Sequence, residues 1–323
     1  MKMKTKIDKP LVSICMPMYN AADYIAEALT KISEQSYQNI EVIVVNDHSS
    51  DCSLEVARQY ESDKIKVYTN LGKGACSARN YAFSKSTGEF VKFMDADDYC
   101  MPKLIEKQVD LLVRGTERTV IFSPLMHLYP DGRLFQPPRS IDHDHDDAFD
   151  LQIEIMQGGG TNVPHCYLMP RDLIITTGGW DEMVLKNQDG EYFARVLANA
   201  DKALSLADEF AIYRKIGSGL SSKLSFEAIS SKLDTYKKII NLVLDRQNND
   251  QMKEMCGLYL GKFLFTNYQE LKSILNEVKK IQNESCLPLI FPDRRLFKLF
   301  STLFGWKAAL ALMHKLNLIN KLG

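Results

Sequence analysis

Hydrophobic and polar positions follow two periods along the first two thirds of the chain. Residues 11–16, 40–45, 65–68, 90–94 and 119–123 are short runs rich in β-branched and aromatic side chains, the pattern of buried strands. Between them, residues 21–36, 53–61, 75–86 and 102–113 space their apolar positions at the helical period. Strand–helix alternation from residue 11 to about residue 214 predicts the α/β class, a mostly parallel central sheet with helices on both faces. Asp131-Gly132 predicts the turn of a late hairpin, and Gly158-Gly159-Gly160 a flexible loop. Beyond about residue 225 the strand pattern stops and three helical stretches follow, 226–246, 251–282 and 294–321. The expected organisation is an α/β domain over residues 1–225 and an α-helical region over residues 226–323.

Composition narrows the function classes. With 45% hydrophobic and 25% charged residues over 323 positions, the chain has the content of a globular protein, which excludes extended disorder. A formal net charge of −1 supplies no bulk attraction for nucleic acid, which is set aside as a partner. The seven cysteines lack C-x-x-C spacing, which argues against a zinc site or a disulfide framework and fits a reducing, cytoplasmic compartment. Four lysines within residues 1–10 are not followed by an apolar core of a secretory signal, and no run of about 20 apolar residues reads as a transmembrane helix.

Two segments invite special readings. Residues 141–150 read I-D-H-D-H-D-D-A-F-D, and His143 and His145 suggest a metal site; without further ligands nearby in sequence, the expectation is a solvated acidic loop leading into a helix, with no function. In the last stretch Leu296, Leu299, Phe300, Leu303 and Leu310 recur at helical spacing beside Lys298, Lys307, Lys315 and Lys321, with six cations and no acid from Arg294 onward. Such a helix either lies on an anionic membrane surface, with Trp306 at the interface, or packs its apolar face on protein.

In open α/β sheets ligands bind beyond the carboxyl ends of the strands, so the residues just after each strand carry the chemistry. After the first strand stands Pro17-Met18-Tyr19-Asn20, which by itself reads as a turn with Asn20 capping the next helix. After the second stands Asn46-Asp47-His48-Ser49-Ser50-Asp51, where Asp47 is a candidate acceptor for the N–H of a base and Ser50 or Asp51 a candidate helix start. After the third, Gly72-Lys73-Gly74 precedes a helix bearing Ser77, Arg79 and Asn80; Arg79 is either a nucleotide ligand or an ordinary surface cation. The fourth ends in Phe93-Met94-Asp95-Ala96-Asp97-Asp98. Three carboxylates in four residues at the end of an apolar strand repel one another, and a divalent cation relieves that repulsion. Asp95 and Asp97, on one side of an extended segment, are therefore the candidate ligands of Mg²⁺ or Mn²⁺ shared with a diphosphate, Asp97 foremost.

The order P-M-Y-N, V-V-N-D-H-S-S-D, G-x-x-x-A-R-N and F-M-D-A-D-D resembles the family-two inverting glycosyltransferases over about two thirds of the chain. The resemblance implies the A-type nucleotide-diphospho-sugar transferase fold. It implies that Pro17, Tyr19, Asn20, Asp47 and Arg79 surround the nucleoside, with Asp95 and Asp97 at the ribose, diphosphate and metal. The implied partners are a nucleotide-diphosphate sugar, most commonly a UDP-sugar in the family, and a sugar or lipid-linked acceptor. The family's acidic base motif matches Asn187-Gln188-Asp189-Gly190-Glu191, where Gln188 replaces the first acid; Asp189 is the implied catalytic base and Glu191 the reserve. Trp180 and Asp181, in Gly178-Gly179-Trp180-Asp181-Glu182, are candidate acceptor contacts, although a Trp after Gly-Gly also serves as a packing anchor.

Departures qualify the resemblance. His48 stands where the family often has Gly, and histidine tolerates the positive φ such a turn needs. The Q-x-x-R-W segment and transmembrane helices of processive synthases are not seen, which predicts one sugar per encounter. Residues 213–221, rich in Gly, Ser and cations, read as a linker in preference to a lid over the diphosphate. A nucleotidyltransferase would show G-x-G-x-R-L after the first strand, which is not present. A non-catalytic nucleotide-sugar-binding scaffold or sensor is the alternative, disfavoured by the retention of Asp95, Asp97 and Asp189. Surface polysaccharide or glycolipid assembly at the inner face of the cytoplasmic membrane is the expected setting.

Overall fold

The computed structural model describes residues 9–115, 118–216, 225–271, 275–292 and 295–315. The expected alternation is realised by β1 (Val12–Met18), α1 (Ile25–Ser33), β2 (Ile40–Asn46), α2 (Ser53–Arg58), β3 (Ile65–Thr69), α3 (Ala75–Lys85) and β4 (Phe90–Phe93). There follow β5 (Tyr99–Cys100), α4 (Leu104–Leu112), β6 (Thr119–Phe122), β7 (Leu125–Leu128), β8 (Leu134–Phe135) and α5 (Ala148–Gln157). The α/β part closes with β9 (Tyr167–Pro170), α6 (Arg171–Thr177), α7 (Gln188–Asn199), β10 (Lys202–Ser205) and β11 (Ala211–Arg214).

Seven strands form one sheet in the order β10-β6-β9-β4-β1-β2-β3. β1 to β4 run parallel and β10 parallels β6, while β9 enters antiparallel between β4 and β6. A second sheet, β5-β11-β7-β8, contains the hairpin that Asp131-Gly132 predicts. Every residue of β1 is buried, because helices cover both faces of a central parallel strand. Ile14 and Met16 pack with Ile25, Leu29 and Leu104 on one face, and Cys15 with Ala78, Ala82 and Tyr192 on the other. Full burial of each such aliphatic side chain contributes about 1.5–3 kcal/mol. β1 lies between β2 and β4, so the winding reverses there, and the loops after these strands open onto a topological switch point.

The helical region comprises α8 (Phe226–Arg246), α9 (Asp250–Leu271), α10 (Leu275–Glu284) and α11 (Arg295–Lys315). The predicted helix 251–282 is thus two elements. Gly257 and Gly261, one turn apart on α9, admit the passing chain: a Cβ there would lie 1.9 Å from Pro288 O and 1.8 Å from Ile290 O. The predicted continuous tail helix is broken at Gly305, whose φ of 77° an amphipathic α-helix cannot contain. Leu310, one residue of the apolar stripe, is buried with Phe297, Ala309, Met313 and Phe265, and Trp306 packs 5.3 Å from Phe291. The packing alternative therefore holds at these positions. The side chains of Leu296, Leu299 and Phe300, and Lys321, lie outside the described residues. Among the described residues no helix is long and apolar enough to cross a membrane.

Packing divides the chain into one unit of Met1–Met183 with Tyr192–Gly217 and another of Val184–Glu191 with Ser218–Gly323. This differs from a simple division after residue 225. The Val184–Glu191 segment, which contains Asp189, groups with the helical unit, where Leu185 N–H donates to Ser231 Oγ at 2.8 Å and Asn187 Nδ2 to Thr235 Oγ1 at 2.8 Å. Residues 217–224, which include much of the Gly/Ser stretch read as a linker, lie outside the described residues.

Candidate active site

The loops after β1 and β2 lock together. Pro17 ends within β1, Tyr19 is 55% exposed, and Asn20 takes a left-handed φ of 46°. Asn20 does not cap α1: Tyr24 holds that position without a side-chain bond. Instead Asn20 Oδ1 accepts from Ser50 N–H at 2.8 Å, and Asn20 N–H donates to Ser49 Oγ at 3.0 Å. Asp51 accepts from Ala22 N–H at 3.1 Å and from Ser53 N–H at 3.0 Å, and Cys52, not Ser50 or Asp51, occupies the cap position of α2. These bonds between loops delay the start of α1 to Ile25. His48 adopts the predicted positive φ, 58°, with Nε2 3.0 Å from Gly72 O.

Asp47 is buried at the mouth of β2. Its carboxylate accepts from Asn70 Nδ2 at 2.8 Å and from Gly74 N–H at 2.9 Å, which fixes it against the start of α3. A carboxylate has about four lone-pair sites, so acceptor capacity remains for a donor outside the protein.

The acidic residues after β4 form a tight turn, not the extended segment expected, because Asp98 N–H donates back to Asp95 O at 3.2 Å as the chain swings into β5. Within it the three carboxylates have different fates. Asp95 Oδ1 pairs with Arg79 at 2.7 Å. Asp97 stays half-buried and is pushed up to about 6, chiefly by burial and then by Asp95, with Arg214 and Arg79 opposing. Asp98 turns inward, 1% exposed, accepting from Arg214 N–H at 2.8 Å with its other oxygen 3.5 Å from His165 Nδ1. Burial, then Asp97 and Asp95, pushes Asp98 well up, while burial and Lys92 push His165 down to about 3. Both directions make Asp98–His165 a neutral carboxyl–imidazole contact in place of an ion pair. The turn offers only oxygen donors with uncompensated negative charge at Asp97, which fits a hard divalent ion such as Mg²⁺ or Mn²⁺.

Arg79 is not a surface cation. It is 4% exposed, bonded to Asp95, with its guanidinium 4.4 Å from the centroid of Trp180. Trp180 in turn is 3% exposed, stacks on Tyr192 at 4.0 Å and meets Phe93 edge-on at 5.3 Å. The indole is thus a packed platform for Arg79, which corrects its reading as a surface for an acceptor sugar. Asn80 holds it by donating to Trp180 O at 2.9 Å and accepting from Trp180 N–H at 2.8 Å. Asp181 accepts from Met183 N–H at 2.9 Å.

Asp189 and Glu191 both lie in the first turn of α7, where backbone N–H groups favour carboxylates. Glu191 is buried and its N–H donates to Asn187 O at 3.1 Å; Asp189 is half-buried. Arg214 belongs to the segment 213–221 that reads as a linker, but it is the last residue of β11. Its Nε donates to Asp97 O at 3.0 Å and its guanidinium pairs with Glu27 at 2.7 Å, so it clamps the acidic turn. Only its place at the last position of a strand hinted at this.

Comparison with known proteins shows the family and the fold. The family described as "Glycosyl transferase family 2" matches residues 13–178. A putative teichuronic acid biosynthesis glycosyltransferase, TuaG of Bacillus subtilis, is 38% identical over 118 residues, covering 36% of this chain and 46% of the relative. The Escherichia coli UDP-Glc:alpha-D-GlcNAc-diphosphoundecaprenol beta-1,3-glucosyltransferase WfgD is 36% identical over 110 residues, 34% of this chain and 44% of the relative. The chain spans less than half the length of the curated relatives it matches. Staphylococcus aureus TarS 1–349 in complex with UDP-GlcNAc has the same fold, with TM-score 0.70 and 17% identity over 94% of this chain and 92% of that one.

Proposed function

We propose that this chain, which belongs to glycosyl transferase family 2, moves a hexosyl or N-acetylhexosaminyl group from a UDP-sugar to an acceptor hydroxyl, with inversion and one sugar per encounter. The observation that carries the reading is the acidic turn at the β1/β4 switch point, braced by Arg79 and Arg214. The complex of TarS with UDP-GlcNAc and the UDP-Glc in the name of WfgD support the donor class.

In this reading Pro17, Tyr19, Asn20 and Asp47 receive the nucleoside, Asp47 through its remaining acceptor sites. Asp97, with Asp95, holds Mg²⁺ or Mn²⁺, which when bound stabilises negative charge on the departing diphosphate. Arg79 holds Asp95 in place through their 2.7 Å pair. Asp189 takes the proton of the acceptor hydroxyl as its oxygen bonds to the anomeric carbon and the bond from that carbon to the diphosphate oxygen breaks. One displacement inverts the centre, and UDP and the protonated Asp189 remain. The acceptor is a sugar or lipid-linked sugar of surface polysaccharide or glycolipid assembly, reached from the cytoplasmic side. Peripheral membrane contact through the cationic stretch from Arg294 onward belongs to the same reading. Loss of anionic-vesicle co-sedimentation on truncation near Pro292 supports that contact, and unchanged co-sedimentation removes it.

The deciding experiment is a calorimetric titration of UDP with and without Mn²⁺ or Mg²⁺ on wild type and Asp97→Ala. Metal-dependent binding that Asp97→Ala removes supports the reading. No nucleoside diphosphate binding under any metal condition overturns it. Binding without transfer from any UDP-sugar favours a nucleotide-sugar-binding scaffold.

A further inference from the structure

The cluster dismissed in the sequence as a solvated acidic loop is built differently in three dimensions. α5 brings Glu154 to His143 and His145, supplying the third side chain that sequence proximity withheld. Glu154 Oε1 lies 3.3 Å from His143 Nε2 and 3.5 Å from His145 Nε2, and the potential ligand atoms of the three all fall within 4.8 Å of one another. Ligand atoms about 2.0–2.1 Å from a tetrahedral Zn²⁺ are roughly 3.3–3.5 Å apart, so two edges of the triangle already have the spacing an ion requires. The third closes by rotation of the exposed His143 ring.

His145 points independently to a ligand. It is 4% exposed, and neither ring nitrogen makes a hydrogen bond. An unsatisfied buried imidazole is disfavoured, because the ring has lost its hydrogen bonds to water without replacement. Its backbone is fixed by reciprocal bonds with Ala203, at 2.7 and 3.1 Å, and its ring lies 6.1 Å from that of Phe122. The rings of His143 and His145 stack at 4.2 Å. His143 is also held from its other side: its Nδ1 lies 3.1 Å from Asp144 O, which leaves Nε2 as the ring nitrogen facing Glu154.

We infer that His143, His145 and Glu154 bind a divalent transition-metal ion of the zinc class, through two imidazole nitrogens and one carboxylate oxygen, with water in the remaining position. Imidazole ligands select this class over Mg²⁺ or Ca²⁺, which favour oxygen alone. The site is at the β10 edge of the large sheet, three strands and on the order of 14 Å from β4, and is separate from the acidic turn. The ion would tie the 143–145 segment to α5 and, through Ala203, to β10.

The test uses full-length protein stripped with chelator, then titrated with Zn²⁺ by calorimetry and with Co²⁺ by visible absorption, alongside His143→Ala and Glu154→Gln. His143 is exposed and Glu154→Gln preserves shape, so both variants are expected to fold, with metal-dependent UDP binding as the control. The expected result is one ion per chain, a Zn²⁺-dependent rise in Tm, and affinity reduced at least tenfold in each variant, with the Co²⁺ absorption lost. At 100 times Kd the ion raises the folded-to-unfolded ratio about 100-fold, so the Tm shift is measurable. Failure of stripped, folded wild type to bind Zn²⁺ overturns the inference. Equal binding by wild type and both variants also overturns it, since the ion then sits elsewhere.

Discussion

Two clusters of potential metal ligands occupy the same sheet, and they differ in how they are assembled. The turn after β4 takes all its carboxylates from consecutive chain and adds cations from afar, Arg79 on α3 and Arg214 on β11. The cluster near β10 takes two histidines from a loop and its carboxylate from α5, and its nearest cation in sequence, Arg139, is engaged by Asp142 at 2.7 Å. The first is all oxygen and braced by arginines; the second is imidazole-rich and lacks protein hydrogen bonds at His145. Donor chemistry therefore separates the ion proposed to come with a diphosphate from the one inferred to be held by the protein itself.

The largest expected effect tests the reaction assigned to the donor side. Asp189→Asn should lower transfer about 10²–10⁴-fold in a radiolabelled-sugar assay while UDP affinity stays within twofold. Near-wild-type turnover would move the base to another residue, with Glu191 next. Arg79→Ala leaves Asp95 without its guanidinium and Trp180 without its cation. Asp95 is partly exposed, so the loss should fall near the lower end for breaking a buried pair, about 3 kcal/mol by urea denaturation.

The acidic turn should also respond to pH in two opposite ways. The folded pKa of Asp97, about 6, is above the ordinary carboxylate value, so its protonation favours the fold: its contribution is complete below about pH 4 and is lost as pH rises through 6. Metal binding needs the ionised carboxylate and moves the other way. Metal-dependent UDP affinity should fall up to about tenfold per pH unit below 6, whereas a flat profile from pH 5 to 7 would remove Asp97 from the metal. The smallest effect sharpens the contrast: without added metal, His143→Ala should change stability by no more than about 0.5 kcal/mol, because an exposed imidazole contributes little when no ion is bound. A large loss in metal-free protein would make the cluster a structural ion pair.

Much of the acidic turn and the loops beside it was legible in the chain. The five strands read from the sequence, β1 to β4 and β6, lie within two residues of their observed bounds because a parallel strand in the middle of a covered sheet reads as an unbroken apolar run, and Asp47, Asp95 and Asp97 follow such runs. Arg79 and Trp180 were named, but each with the wrong environment: one-dimensional context cannot show that α3 and the segment after α6 bring guanidinium and indole together. Asn20 looked like a helix cap because the loop it binds, residues 49–51, is about thirty positions away. The tail read as one amphipathic helix because periodicity does not record the backbone break at Gly305, nor what covers Leu310.

What the sequence determined by itself is whatever depends on neighbours in the chain: the alternation of elements, the carboxylate-rich turn, the positive φ at His48, and the motifs of the family. Tertiary structure alone decided the rest. Burial of Asp98, the clamp of Arg214, and the meeting of Glu154 with His143 and His145 depend on which strands adjoin and which helices cover them. Desolvation and Coulomb energies depend on distance through space, and spatial distance is set only when the sheet is assembled.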